Sequence, residues 1–403
     1  MNKFQFTFLT RLFFTGAVLT GVSIAFLTAS QAYSNRAATN DPLVTIDPKP
    51  LAPQSSARIQ LAILLDTSNS MDGLINQTRE QLWQMVDELS SAKRNGLTPQ
   101  LQVAVFEYGN DGLPSSTGHV RKVVGLTSEL DRVSEALFSL TTNGGEEFCG
   151  YAIDSAIKQL DWSGNADDLR MIFIAGNEPF TQGPISYVEA INLAKQHDIT
   201  ISTIFAGNHQ EGLSTGWQQG AVLAGGNFMS IDHNQQVAHI EAPQDKKIVD
   251  LNRALNDTYI PFGAKGQESV ERQRTQDVKS AEVSDAYLAK RAKAKASAVY
   301  NNTQWDLVDA MASGTVDLDK LEKDQLPEPM QAMTKAEQQK FIAEKKTQRD
   351  ALQEEILKIS EEREQYIADQ QQQLNQPAAP TFNDAIKEAI SQQAEKKDYV
   401  FAK

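Results

Sequence analysis

Ile59-Gln-Leu-Ala-Ile-Leu-Leu65 is apolar with one polar break, which predicts a buried strand, and from Gly73 to Leu89 apolar side chains return at helical spacing. Gln100–Glu107 alternates as a strand, and Val120–Leu126 is its expected antiparallel partner at the sheet edge. Helical spacing marks Leu130–Leu140, Gly150–Leu160, Ser186–His197 and Thr215–Ala224. Strands are expected at Leu169–Ala175, Ile199–Phe205 and Asn227–Ile231. A helix from Pro243, suited to a first helical position, to Tyr259 closes this part of the chain.

Beyond Pro261-Phe-Gly263 the composition shifts to Ala, Lys, Glu and Gln, and the pattern becomes helical. Val283–Val299 and Trp305–Met311 are expected helices, and Pro327 and Pro329 mark a turn. A long helix from Lys335 to Leu374 places Leu352, Ile356, Ile359 and Tyr366 on one face. Arg363 interrupts that stripe, so a bundle or hairpin is favoured over an extended dimeric coiled coil. A last short helix, Phe382–Lys396, follows the Pro377–Pro380 linker.

The chemistry is concentrated directly behind the first strand, in Asp66-Thr-Ser-Asn-Ser70. This segment lies on the loop leaving the carboxyl end of a strand, where open α/β sheets place their ligand sites. Three oxygen side chains alternate along an extended turn and can converge on one point. One carboxylate and two hydroxyls make a half-cage for Mg²⁺, Mn²⁺ or Ca²⁺ with room for an outside ligand. Hydrogen bonds alone holding the loops in shape is the alternative.

With that Asp-x-Ser-x-Ser between a buried strand and a helix, the segment from Ala57 to Pro261 resembles the von Willebrand factor type A (vWA) domain. The resemblance implies a doubly wound, mostly parallel sheet with helices on both faces, and the order of elements agrees with it. It also implies a metal-ion-dependent adhesion site, in which Asp66, Ser68 and Ser70 hold a cation completed by an acidic residue of a partner protein. In the family a Thr on a second loop and an Asp on a third finish the site, and this chain departs at both. Where Gly-Gly-Thr is usual it has Gly144-Gly145-Glu146-Glu147, and where Thr-Asp-Gly-Glu-Pro is usual it has Ala175-Gly-Asn-Glu-Pro179. Gly176 therefore falls where the Asp is expected. Glu147 (or Glu146) and Asn177, with Glu178 nearby, are the candidates for the missing positions. Gly-Asn-Glu-Pro-Phe together with Gly-Gly-x-Glu-x-Cys-Gly looks like a bacterial exported subgroup.

Composition narrows the partners. With 52 acidic against 38 basic residues the formal charge is −14, which argues against nucleic acid and anionic membrane surfaces. Lys3 and Arg11 precede the apolar stretch Leu12–Leu27, and Ser30-Gln31-Ala32 offers small residues for cleavage. Residues 1–32 thus read as a secretory signal and 33–56 as a flexible leader, so a periplasmic or secreted location is expected. An uncleaved anchor would be the one route to a membrane. The single cysteine, Cys149, excludes an intrachain disulfide and reads as a small core residue at a helix start. None of the five His residues has a triad-like context. The expected organisation is a vWA domain over 57–261 and an α-helical region over 262–403. The expected function is protein–protein interaction through the cation site rather than catalysis; a metal-independent scaffold binding through loops or the helical tail is the alternative.

Overall fold

The computed structural model describes residues 54–71, 74–231, 240–373 and 382–401. The signal expected over 1–32 and nearly all of the leader lie outside them. Among the described residues no helix is long and apolar enough to cross a membrane.

The strands are β1 (Gln54–Asp66), β2 (Ala92–Arg94), β3 (Thr98–Tyr108), β4 (Val120–Thr127), β5 (Leu169–Gly176), β6 (Thr200–Phe205), β7 (Gly225–Ser230) and β8 (Tyr399–Phe401). Six form one sheet in the order β4-β3-β1-β5-β6-β7, while β2 and β8 pair separately. Only β4 runs antiparallel in the large sheet, at its edge, as the pattern predicted. β1 is central and parallel to both neighbours, and the chain crosses from its β3 side to its β5 side. That reversal is the topological switch point, which opens a crevice at the carboxyl ends of the strands. Register makes Asp66 level with Tyr108, and Leu65 level with Ala175. Three strand ends thus meet at one place.

The first helices are α1 (Leu74–Ser90), α2 (Leu130–Ser139), α3 (Cys149–Gln159), α4 (Tyr187–Gln196), α5 (His209–Ser214), α6 (Trp217–Leu223) and α7 (Gln244–Asn256). The helical region adds α8 (Gly266–Val283), α9 (Asp285–Ala296), α10 (Leu307–Ala312), α11 (Glu328–Gln331), α12 (Lys335–Gln373) and α13 (Phe382–Glu395). β1 feeds both faces of the sheet because strand side chains alternate. Ala62 and Leu64 join Ile153, Ile191 and Trp217 on one face. Ile59, Leu61, Ile63 and Leu65 join Trp83, Val86, Val133 and Ile248 on the other.

That second core continues through Val270 of α8, Ala292 of α9, Ile356 and Ile359 of α12, and Ile386 and Ile390 of α13. The helices beyond 261 therefore pack as an extra layer over the helices on one face of the sheet. Charges are sealed in the same layer. Arg291 is fully buried, donates to Asp131 at 2.7 Å and to Asp277 at 2.6 Å, and lies over the Trp83 ring. Lys295 completes the cluster on Asp277 at 2.9 Å, and the Tyr300 hydroxyl donates to Asp131 at 2.6 Å. A second clamp holds α12: Arg349 donates to Asp306 and Asp309 and stacks 4.0 Å from the Tyr259 ring centre.

Several elements depart from the pattern, among them β2 and β8, which it did not announce. β1 begins at Gln54, inside the segment read as leader. α8 has no apolar stripe to announce it: Gln273, Gln276, Asp277 and Ser280 are buried on its inner face. α5 precedes the helix expected at Thr215, which starts at Trp217.

Candidate functional site

β1 ends at Asp66 because the backbone turns there around its own side chain. Asp66 Oδ1 accepts the Ser68 N–H at 2.8 Å, a local turn that short acceptors make after a strand. The Thr67 N–H still reaches the Tyr108 carbonyl at 2.8 Å, so the turn hangs directly on the β1–β3 ladder. Side chains 66, 68 and 70 then face the same crevice. The Ser68 and Ser70 hydroxyls are 2.8 Å apart, and Ser70 Oγ donates to Asn177 Oδ1 at 3.0 Å. Asn177 of the third loop is thereby joined to the Asp-x-Ser-x-Ser turn through its side chain.

The second loop is stitched to both neighbours. Asn143 N–H donates to the Thr67 carbonyl at 3.1 Å, and Asp111 N–H to the Gly144 carbonyl at 2.9 Å. This path turns Glu146 to solvent and Glu147 inward, where it is 7% exposed. Gly109 shows how close Glu147 comes to Asp66: a Cβ there would lie 2.8 Å from both Asp66 Oδ1 and Glu147 Cγ. Of the two glutamates named from sequence, Glu147 is the one brought into the site. Glu178 is anchored differently, its carbonyl accepting from Trp217 Nε1 at 2.8 Å and its carboxylate from Gln182 at 3.3 Å.

Electrostatics follow from this crowding. Burial, with Glu147 adding its charge, pushes the Asp66 carboxyl up to about 7. Burial and then Glu178 push Glu147 up to about 7 as well, while the Ser68 hydroxyl favours its charged form. Asp66 is 0% exposed, and its Oδ2 has no partner of full hydrogen-bond geometry. A buried carboxylate oxygen left this way is costly unless something positive meets it. Carboxyl, hydroxyl and amide oxygens around one point form the donor set of a hard divalent cation, and the residues present fit one. Among the described residues there is no cluster of three or more His, Cys, Asp or Glu side chains with metal-binding geometry. The set on hand relies on serines.

Tyr108 is the participant that sequence reasoning missed. Its hydroxyl donates to the Ala175 carbonyl at 2.9 Å and stands in the space a Cβ on Gly176 would enter. Such a Cβ would also lie 3.1 Å from Asp66 Oδ2 and 3.1 Å from the Trp217 ring. Gly176 therefore marks a position filled from β3, across the central strand, where an aspartate side chain would have no room. The signal lay in the Tyr108-Gly109 pair just past the expected end of the second strand. The same hydroxyl is 3.6 Å from Cys149 Sγ, and burial pushes that thiol far up, which keeps it protonated.

Residues 60–214 match the von Willebrand factor type A domain family, and the chain carries a vWA domain there. Similar solved structures include BatB from Bacteroides thetaiotaomicron, at 17% identity over 43% of this chain and 90% of that one, with a TM-score of 0.34. The SpRpn10 VWA domain matches at 16% identity over 45% of this chain and 92% of that one, with a TM-score of 0.34. Proximal thread matrix protein 1 from the mussel byssus, with a zinc-occupied MIDAS motif, matches at 15% identity over 46% of this chain and 44% of that one, with a TM-score of 0.34. No curated protein matches the chain.

Proposed function

We propose that the chain is a protein-interaction module whose contact is made through a divalent cation at the Asp66 edge of the sheet. vWA domains generally mediate interactions, and the buried Asp66 Oδ2, with no partner of full hydrogen-bond geometry, is the observation that carries the reading further. Asp66, Ser68 and Ser70 would hold Mg²⁺ or Mn²⁺, or Ca²⁺, with Asn177 on the third loop and Glu147 on the second as the further oxygen donors beside them. The cation would supply a positive coordination position for a carboxylate of a partner protein. The net charge of −14 supports protein rather than nucleic acid as that partner. A protonated, buried Cys149 supports binding rather than nucleophilic chemistry. We also propose that the chain acts outside the cytoplasm, on the signal-like pattern of residues 1–32.

Calorimetric titration of Mg²⁺, Mn²⁺ and Ca²⁺ into the chain, beside Asp66→Ala, tests the reading. Saturable binding that vanishes in the variant is expected. Absence of binding in both would favour a metal-independent scaffold, for which the loss of the third-loop carboxylate at Gly176 and the Ser68–Ser70–Asn177 hydrogen bonds already speak.

A further inference from the structure

The second loop brings Glu147 beside the Asp66 turn and buries it there. Asp66 and Ser68 are 0% and 2% exposed, so a partner can reach neither of them directly. Glu147 lies beside both: its Cγ flanks Gly109 opposite Asp66 Oδ1, and its carboxyl is within reach of the Ser68 hydroxyl. Its loop is fixed there by the Asn143–Thr67 and Asp111–Gly144 backbone bonds rather than left loose. Of the candidate ligands, Ser70 is exposed and Asn177 half-buried, and both are tied to each other.

We propose that Glu147 is an internal stand-in for the partner's acidic residue: it fills the outward coordination position of the cation held by Asp66, Ser68 and Ser70, and a partner carboxylate binds by displacing it. This rests on the cation reading above. A glutamate carboxylate has the same charge and oxygen donors as the partner group, so it competes on equal chemical terms but at the high effective concentration of an intramolecular ligand. The site is then closed by default, and it selects partners able to outcompete that ligand.

The test uses Mn²⁺ as the probe cation and acetate as a free carboxylate, with the full chain and its Glu147→Ala, Glu147→Gln and Asp66→Ala variants. Thermal melts in chelator confirm that each variant is folded. Wild-type Mn²⁺ affinity is expected to be insensitive to acetate. Glu147→Ala should bind Mn²⁺ more weakly by about tenfold or more, and acetate should restore it by entering the vacated space. Glu147→Gln should be weakened but not restored, because its amide still fills the space. Undiminished Mn²⁺ affinity in Glu147→Ala, with binding lost in Asp66→Ala, would overturn the role of Glu147 alone. An equal gain from acetate in wild type and Glu147→Ala would overturn it too. Loss of Mn²⁺ binding from the wild type itself would overturn the cation reading.

Discussion

The Tyr108 hydroxyl occupies the space beside Gly176 where a side chain would begin, and from there it donates to the Ala175 carbonyl at 2.9 Å. The two residues end neighbouring sides of the same central strand, so each sets what the other can be. Gly176 has no positive φ, so the cost of adding a methyl there is steric and not conformational. Gly176→Ala is expected to destabilise by about 1–3 kcal/mol through overpacking. Tyr108→Phe removes the obstructing oxygen and one buried hydrogen bond, at a cost of ~1 kcal/mol. Their effects should not add: the double variant is expected to be more stable than the sum by roughly 0.5–3 kcal/mol. Trp217, 3.1 Å from the added carbon, keeps the recovery partial. Urea melts of the four proteins measure the coupling, and simple additivity would contradict the packing described.

The crowded carboxyls give a pH dependence with a defined sign. Asp66 and Glu147 are raised from 3.8 and 4.5 to about 7, so the folded chain holds protons that the unfolded chain releases. Their stabilising contribution is full below those ordinary values and is lost as pH rises through about 7. In chelator, the stability of the wild type relative to Asp66→Asn should therefore fall between about pH 4 and pH 7. Taking the difference between two proteins cancels carboxylates that titrate alike in both. A difference that stays flat across the window would show that Asp66 is already ionised at acid pH.

Most of the sheet was legible because its strands carry their own period. Ile59–Leu65 and Leu169–Ala175 are apolar runs, and helices such as α2 and α4 have one-sided stripes. The Asp66 turn was legible for the same reason, as a short polar motif pinned between two such patterns. What escaped depends on contacts distant in sequence. β2 pairs with β8 across some three hundred positions, and neither strand has more than three residues. α8 buries glutamines and an aspartate against partners on α2, α7 and α9, so its inner face looks like an outer one. Tyr108 reads as an ordinary strand end until β5 is placed on the far side of the central strand. Glu146 and Glu147 are indistinguishable in sequence; only the backbone path of the loop turns one inward.

The buried charges between the layers make a separate prediction. Burial alone would raise the Asp277 carboxyl, but Lys295 and then Arg291 hold it well below the usual carboxylate range. Its stabilising contribution is present above the ordinary value of 3.8 and is lost as pH falls through the lower folded value. Arg291→Met leaves Asp131 and Asp277 facing each other's surroundings with one cation fewer, and should destabilise by about 3–5 kcal/mol. Pairing it with Asp131→Asn should cost less than the two changes summed, since the neutral amide no longer needs the guanidinium. Chemical denaturation across the cycle, together with acid titration of Asp277→Asn, checks both statements. Full additivity, or an acid profile unchanged in Asp277→Asn, would contradict them.

The shared core also fixes how the vWA domain and the helical region should unfold. Trp83, Leu82 and Val86 of α1 are almost fully buried in the core that Ala292, Ile356, Ile386 and Ile390 help to build. A chain ending at residue 261 would expose that face. Each large apolar side chain returned to water costs about 1.5–3 kcal/mol, and a handful of them matches the ~5–15 kcal/mol that holds a whole domain folded. The charged cluster would be broken in the same cut, leaving Asp131 without Arg291 and Tyr300. The fragment 54–261 is therefore expected to lack a cooperative melt and to expose apolar surface to a hydrophobic dye, while the intact chain melts in one transition. Supplying 262–403 as a separate polypeptide should restore the fragment's near-ultraviolet circular dichroism. Two transitions in the intact chain, or a fragment that melts at the intact chain's temperature, would instead mean that the vWA domain holds its fold without the helical layer.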